Sequence, residues 1–242
     1  MPQVHKKIAV LSALAAWLCL APVSAAREGD AQATQLLSKV RAALGGEESL
    51  AKVRALSFDL TSGGSTGAPF VTGHALALPD KYQQTTPTLA FTLSGKEYWS
   101  STGDTSAAET VRRQMVRWMI VLLVPKPESL GLTLTVRQGV AVPDGAETAD
   151  VLSYAGPEQF SVDLFIDHAT NRPLGYTWPF WSQRPQPGFF ARFANYHPTQ
   201  GIQFPGLINS QVALGQAKPS ITQATVTNVQ VNPDMGTRFV RK

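Results

Sequence analysis

The chain has 242 residues, of which 43% are hydrophobic and 16% are charged, with a formal net charge of +4 and one cysteine. This length suits a single large all-β or α+β domain. The small positive charge provides no electrostatic basis for nucleic-acid binding, which needs a clustered basic face. A lone cysteine excludes an internal disulfide and a thiolate metal site.

Residues 1–26 have the pattern of a secretory signal peptide. The basic pair Lys6-Lys7 precedes an apolar run, Ile8–Leu20, and Val23-Ser24-Ala25 supplies a small-x-small cleavage pattern. The run is shorter than the ~20 apolar residues that span a bilayer. We therefore expect a cleaved leader and a periplasmic mature chain, residues 27–242, that forms a single domain.

The cysteine lies inside this leader. Cys19 follows Leu18, which is larger than the small residue that normally precedes a lipidated cysteine, so we expect plain export. Removing Lys6 and Lys7 lowers the net charge from +4 to +2.

The mature chain begins with a predicted helix. Its apolar residues recur at three- and four-residue spacing and form one stripe: Ala33, Leu36, Leu37, Val40 and Leu44. Gly45-Gly46 ends the helix, and Glu47–Val53 is predicted to form a short second one. Such a stripe indicates a helix that caps a sheet, and a lid over a ligand cavity is the alternative.

The following residues alternate between apolar and polar, which is typical of antiparallel strands with one buried face. The apolar sets are Leu56, Phe58 and Leu60; Leu89, Phe91 and Leu93; Leu132, Leu134 and Val136; and Phe160, Val162, Leu164 and Ile166. Turn residues separate them at hairpin spacing, which predicts roughly ten strands in a meander or partly closed barrel.

One helix is predicted between the strands. Ser106 and Glu109 match a capping box, and Pro125 ends the helix after Val124. The segment Trp118–Val124 is apolar around its whole circumference, so we expect it to be buried against the concave face of the sheet. Docking on a membrane surface is the alternative.

Catalytic motifs are weak in this sequence. Gly63–Gly67 matches G-x-S-x-G around Ser65, but a predicted strand follows where the nucleophile elbow needs a helix, so a glycine hairpin is favoured. A secreted serine hydrolase using Ser65 with His168 or His197 remains an alternative. Asp163, Asp167 and His168 are interpreted as solvated strand and turn residues, the alternative being an acid–base pair.

Cofactor motifs are also lacking. The histidines show no zinc-binding spacing, and the chain contains no P-loop and no dinucleotide fingerprint, so no cofactor or metal is predicted.

An aromatic cluster lies within Tyr176–Tyr196. Its prolines interrupt any continuous strand, especially at Trp178-Pro179-Phe180-Trp181. Bulky apolar residues on an irregular segment indicate the rim of an apolar pocket or a partner surface, and core packing is the alternative.

Several short motifs lie at the predicted turns: Ala43–Gly46, Leu78–Tyr82, Asp167–Leu174, Phe193–Pro198 with Gly201–Pro205, and Asn232-Pro233 with Phe239. The third matches a D-x-x-T-x-x-P turn, and the fourth matches F-x-x-Y-x-P-x-x-G-x-x-F-P. Together they resemble the periplasmic lipoprotein carriers, the LolA-like proteins of the outer-membrane lipoprotein-sorting group.

This resemblance implies an unclosed, strongly curved antiparallel β-barrel with helices on its concave side, and a cavity that takes acyl chains or another hydrophobic ligand. The leading hypothesis is therefore a non-enzymatic periplasmic protein that binds or transports a lipid or a lipoprotein, with transient membrane or envelope-protein contacts. We predict six ligand-binding residues: Trp118, Leu122, Trp178, Phe180, Trp181 and Phe193. An envelope interaction module, with a filled barrel and a docking segment at Trp178–Phe190, is a further alternative.

Overall fold

The computed structural model describes residues 22–63, 68–145, 147–179, 188–213 and 220–240. Two helices, α1 (Pro22–Ala43) and α2 (Glu47–Ala51), precede the strands, and α3 (Ala108–Leu123) and a single 3-10 turn (Pro127–Leu130) lie in the middle of the chain. The strands are β1 (Ala55–Gly63), β2 (Pro69–Ala77), β3 (Lys81–Thr85), β4 (Ala90–Ser94), β5 (Glu97–Ser100), β6 (Thr133–Ala141), β7 (Thr148–Ala155), β8 (Ser161–Ile166), β9 (Pro173–Thr177), β10 (Gly188–Thr199), β11 (Ile202–Ala213) and β12 (Ser220–Val231).

The twelve strands of the described residues belong to one antiparallel sheet, in the order β5-β4-β3-β2-β1-β12-β11-β10-β9-β8-β7-β6. The first and last strands pair side by side, with Leu56 opposite Val231. Within the described residues β5 and β6 are the two edges and do not pair, so the sheet is not closed. The predicted curved, incomplete barrel with helices is confirmed. Its strands exceed the predicted ten because short ones, such as the four-residue β5, show no clear alternation.

The helix α1 ends where its glycines predict. Gly45 and Gly46 have φ angles of 128° and 88°, and the Gly46 N–H donates to the carbonyl oxygen of Arg41 at 2.9 Å. A Cβ on Gly45 would lie 2.3 Å from the carbonyl oxygen of Gly201, so only glycine fits here. The stripe residues Ala33, Leu37, Val40 and Leu44 are buried. The helix contacts β6 and β7 and therefore packs on the sheet, as predicted.

The predicted capping box of α3 is wrong. The helix has Ala107 at its N-cap, and no side chain caps it. The backbone N–H of Ser106 instead donates to Asp104 Oδ1 at 2.8 Å. Asp104 thereby stabilises a turn before the helix, and this turn places Ser106 one residue upstream of the cap.

A smaller apolar cluster covers part of the outer face of the sheet. It contains Val142, Ala149, Val151, Phe165 and Phe190. The β6–β7 connection folds over this face, where Arg192 on β10 donates to Asp144 at 3.0 Å and to Glu147 at 2.8 Å. These ion pairs hold the hairpin against the strands that carry the interior residues.

No helix in the described part of the chain has both the length and the apolar character needed to cross a membrane.

Candidate functional site

The concave side of the sheet is occupied by α3. Every residue from Trp118 to Val124 is at most 5% exposed, and all seven belong to the same apolar core as the strand residues Phe58, Leu76, Tyr82, Leu93, Leu152, Leu164 and Phe204. The helix contacts β3 and β4 near one edge of the sheet and β8 and β9 near the other. It therefore lies across the concave face, as the apolar circumference of Trp118–Val124 predicts.

Arg41 on α1 anchors the end of this helix. It is 7% exposed, and its Nη1 donates to the carbonyl oxygens of Val124 at 2.7 Å and Leu123 at 3.3 Å. Its Nε donates to Glu47 Oε2 at 2.6 Å, and this hydrogen bond lowers the pKa of Glu47 below its ordinary value. Lys126 also lies 3.4 Å from Glu47. Arg41 and Lys126 are thus both paired with Glu47, and the last carbonyls of α3 have a partner.

A cleft opens at this end between α1, β6 and the 3-10 turn. Its volume is about 660 Å³, and its apolar walls include Ala33, Leu37, Pro127 and Leu134. The charged residues around it are Asp30, Arg41, Glu47, Lys126 and Glu128. The volume lies within the range of small-molecule sites in proteins. We refer to this space as the α1 cleft.

A second cleft of about 320 Å³ adjoins the α1 cleft, and both are lined by Arg41 and Lys126. Its apolar lining comes from α2 and the residues after it, the β2–β3 turn, the end of α3 and the 3-10 turn: Leu50, Val53, Leu78, Met119, Leu123 and Leu130. The two clefts therefore connect the α1 surface with the C-terminal half of the buried helix.

A chain of polar side chains crosses the interior. His74 on β2 is 4% exposed, and its Nδ1 lies 2.8 Å from the Tyr82 hydroxyl on β3. That hydroxyl donates to Gln84 Oε1 at 3.3 Å, and Gln114 Nε2 on α3 donates to the same oxygen at 2.8 Å. Burial, with a smaller contribution from Arg117, lowers the pKa of His74 to about 3. The imidazole is therefore neutral at physiological pH.

Arg117 on α3 lies among aromatic rings. Its Cζ is 4.5 Å from the centre of the Trp118 ring, 5.0 Å from Trp178 and 5.7 Å from Tyr176. Tyr176 in turn lies 5.6 Å from Phe193, measured between ring centres. These are cation–π distances. We call Arg117 with Trp118, Trp178 and Tyr176 the arginine cage.

The structure brings three of the six predicted ligand-binding residues together. Trp118 and Trp178 contact Arg117 directly, and Phe193 joins them through Tyr176. Leu122 is buried further along α3. Phe180 and Trp181 lie outside the described residues.

Arg117 and His74 are not among the predicted site residues, although the sequence periodicity contains a signal for both. Arg117 lies four residues before the buried Val121 and therefore on the same helix face. His74 lies two residues before the buried Leu76 and therefore on the inner face of β2.

The described residues offer little support for the catalytic alternatives. Asp163 pairs with Arg137 at 2.6 Å, and Asp167 accepts a hydrogen bond from Thr170 at 2.5 Å. His168 is half-exposed and lies 3.6 Å from Asp150. These three residues have separate partners, which agrees with the predicted strand and turn roles. Ser65 lies outside the described residues, and no cluster of three metal-ligating side chains occurs within them.

No protein-family model matches this sequence, and no curated protein matches it. The structure is similar to the crystal structure of a LolA superfamily protein from Nitrosomonas europaea, with a TM-score of 0.54 at 12% sequence identity. The similarity covers 87% of this chain and 97% of the other. At this identity the likeness establishes the fold: the chain has a LolA-like fold, as its turn motifs predict.

Proposed function

We propose that this protein is a non-enzymatic periplasmic protein that binds a hydrophobic ligand, a lipid or the acyl chains of a lipoprotein, between the helices and the curved sheet. The observation that carries the proposal is the α1 cleft, an open space of about 660 Å³ on a LolA-like scaffold. Its walls at Leu37 and Leu134 are apolar, so an acyl chain placed there gains ~0.8 kcal/mol for each buried methylene group.

The same ligand is expected to extend from the clefts toward the predicted interior residues. Met119 and Leu123 line the second cleft, and they lie on the same helix as Trp118 and Leu122. We assign Trp178 and Phe193 to the inner end of the ligand path, and we retain Phe180 and Trp181 as proposed ligand-binding residues. Export through the leader at residues 1–26, and transient contact with a membrane or an envelope protein during ligand transfer, belong to the same proposal.

A tryptophan placed in the α1 cleft tests this assignment. Ser38 lines the cleft on the exposed side of α1, so Ser38→Trp fills the space without changing the core. Uptake of a fluorescent fatty acid should weaken by about tenfold or more. Gln35→Trp is the matched control, because Gln35 is exposed on the same helix and does not line the cleft. Equal uptake by both variants would contradict a ligand in this cleft.

A second candidate is an envelope interaction module. It is favoured by the burial of Trp118–Val124, which fills the concave side with the protein's own side chains. This alternative predicts that the wild-type protein takes up no fluorescent fatty acid, so the same titration separates the two functions.

A further inference from the structure

Among the described residues, Arg117 differs from its neighbouring arginines in having no hydrogen-bond or ion-pair partner. Arg112 donates to the carbonyl oxygen of Gly95 at 3.1 Å, and Arg113 donates to Glu109 at 2.9 Å and also pairs with Glu158. Within the described residues Arg117 makes no hydrogen bond and no ion pair, and its Nε is buried without a partner. Of the three arginines of α3, two therefore have hydrogen-bond partners among the described residues and Arg117 has none.

Unpartnered polar atoms cluster at this cation. Trp118 is 3% exposed, and within the described part of the chain its Nε1 makes no hydrogen bond of normal geometry, although the indole faces the Tyr82 hydroxyl. His74 is 4% exposed and lies 5.1 Å from Trp118 between ring centres, and its Nε2 also has no partner. Buried polar atoms are normally hydrogen-bonded, so the two unpartnered donors in this place, Arg117 Nε and Trp118 Nε1, indicate a missing group that accepts hydrogen bonds.

We infer that the arginine cage is the recognition site for the anionic group of an amphipathic ligand, a phosphate or a carboxylate attached to a hydrocarbon chain. The inference rests on the proposed function and names the headgroup of the proposed ligand. The guanidinium supplies the positive charge, and the Trp118 indole N–H supplies an additional donor. The rings of Trp118, Trp178 and Tyr176 hold the guanidinium in place before the ligand binds.

We place the hydrocarbon chain of such a ligand along α3, toward the clefts. Arg117 and Leu123 are six residues apart, so their backbones are about 9 Å apart along the helix axis. Leu123 lines the second cleft, which shares two residues with the α1 cleft. One molecule can therefore place its anionic group at Arg117 and its hydrocarbon chain toward the clefts.

The test compares three probes on the full chain: dodecyl phosphate, dodecanol and inorganic phosphate. The wild-type protein should bind dodecyl phosphate about tenfold to hundredfold more tightly than dodecanol, the usual range for a charge-assisted contact. Arg117→Met should abolish this preference while leaving dodecanol affinity unchanged. Arg112→Met, which removes one positive charge from the same helix outside the cage, should keep the preference.

Melting temperatures distinguish recognition from a structural role. Arg117 is half-buried, and its buried Nε has no hydrogen bond among the described residues. An apolar side chain of similar length removes this unmet polar atom, so the melting temperature of Arg117→Met should equal or exceed that of the wild type. A drop of several degrees with the preference for dodecyl phosphate retained would overturn the inference and assign Arg117 a structural role.

The probes also separate failure of this inference from failure of the proposed function. Equal wild-type affinity for dodecanol and dodecyl phosphate would overturn the anion site but leave the hydrophobic ligand intact. Binding of inorganic phosphate as tight as that of dodecyl phosphate would assign the site to a free anion. That result would contradict the inference that the anionic group belongs to an amphipathic ligand. Failure of dodecanol and dodecyl phosphate to bind would contradict the proposed function itself.

Discussion

Four polar side chains connect the inner face of the sheet with α3, in surroundings that are otherwise apolar. His74, Tyr82 and Gln84 come from neighbouring strands, and Gln114 comes from the helix. Each hydrogen bond offsets part of the cost of removing a polar group from water. Because the network joins two elements, it also favours one orientation of the helix over others with equal apolar burial.

The burial of His74 predicts a pH-dependent stability. Its pKa in the folded protein is about 3, against an ordinary value of 6.5. Below pH 6.5 the unfolded chain therefore takes up a proton that the folded chain does not. This contribution to stability is fully present above pH 6.5 and is lost toward pH 3, by up to roughly 1.4 kcal/mol per pH unit.

Urea unfolding at several pH values measures this effect. The free energy of unfolding of His74→Gln should fall less steeply than that of the wild type between pH 6.5 and pH 4. His168→Gln is the control, because the His168 side chain is half-exposed, and it should follow the wild type. Parallel pH profiles for wild type and His74→Gln would show that His74 is not a buried neutral imidazole.

At the scale of elements, α3 determines how the concave side of the sheet is used. Its first half carries arginines that bind to the β4–β5 turn and to Glu158 between β7 and β8, and its second half is apolar core. Arg41 joins the end of the helix to α1. The helix therefore acts as part of the core, and any ligand must share the interior with it.

Leu122→Asp tests this position of the helix. Leu122 is 3% exposed, so the substitution removes a buried apolar side chain and adds an unpaired charge. The expected cost is about 3–5 kcal/mol, or a fall in melting temperature of about 10 °C. Thr110→Asp is the control at an exposed position of the same helix and should melt like the wild type. An unchanged melting temperature for Leu122→Asp would place the helix on the surface instead.

At the scale of the whole molecule, the features that the sequence could predict are those set by local chemistry. Gly45, Asn171 and Gly201 have positive φ angles at turns, a conformation that glycine and asparagine adopt readily, so the turn motifs were readable. The alternation of apolar and polar residues predicted the antiparallel strands, because successive side chains of a strand point to opposite faces of the sheet. Asn232, from the Asn232-Pro233 motif, has a direct structural role. Its Oδ1 accepts a hydrogen bond from the backbone N–H of Ala55 at 3.1 Å, and this contact fixes the start of β1.

The arginine cage could not be predicted in this way. Arg117 and Trp178 are distant in sequence, and they meet only because α3 crosses the sheet to contact β8 and β9. Their pairing depends on tertiary packing, which no local pattern records. The periodicity of the sequence could predict that Arg117 and His74 face inward. It could not predict that the two side chains lie close together.

The central claim is that this protein carries a hydrophobic ligand, and mass spectrometry of the native full chain tests it most directly. The protein would be purified without detergent from the periplasmic fraction, and its bound lipid would be extracted and quantified. We predict a chain whose N-terminus begins near Ala26 and one amphipathic, anionic lipid per protein. Recovery of intact Met1, or a lipid-free protein that also takes up no fluorescent fatty acid, would contradict the account.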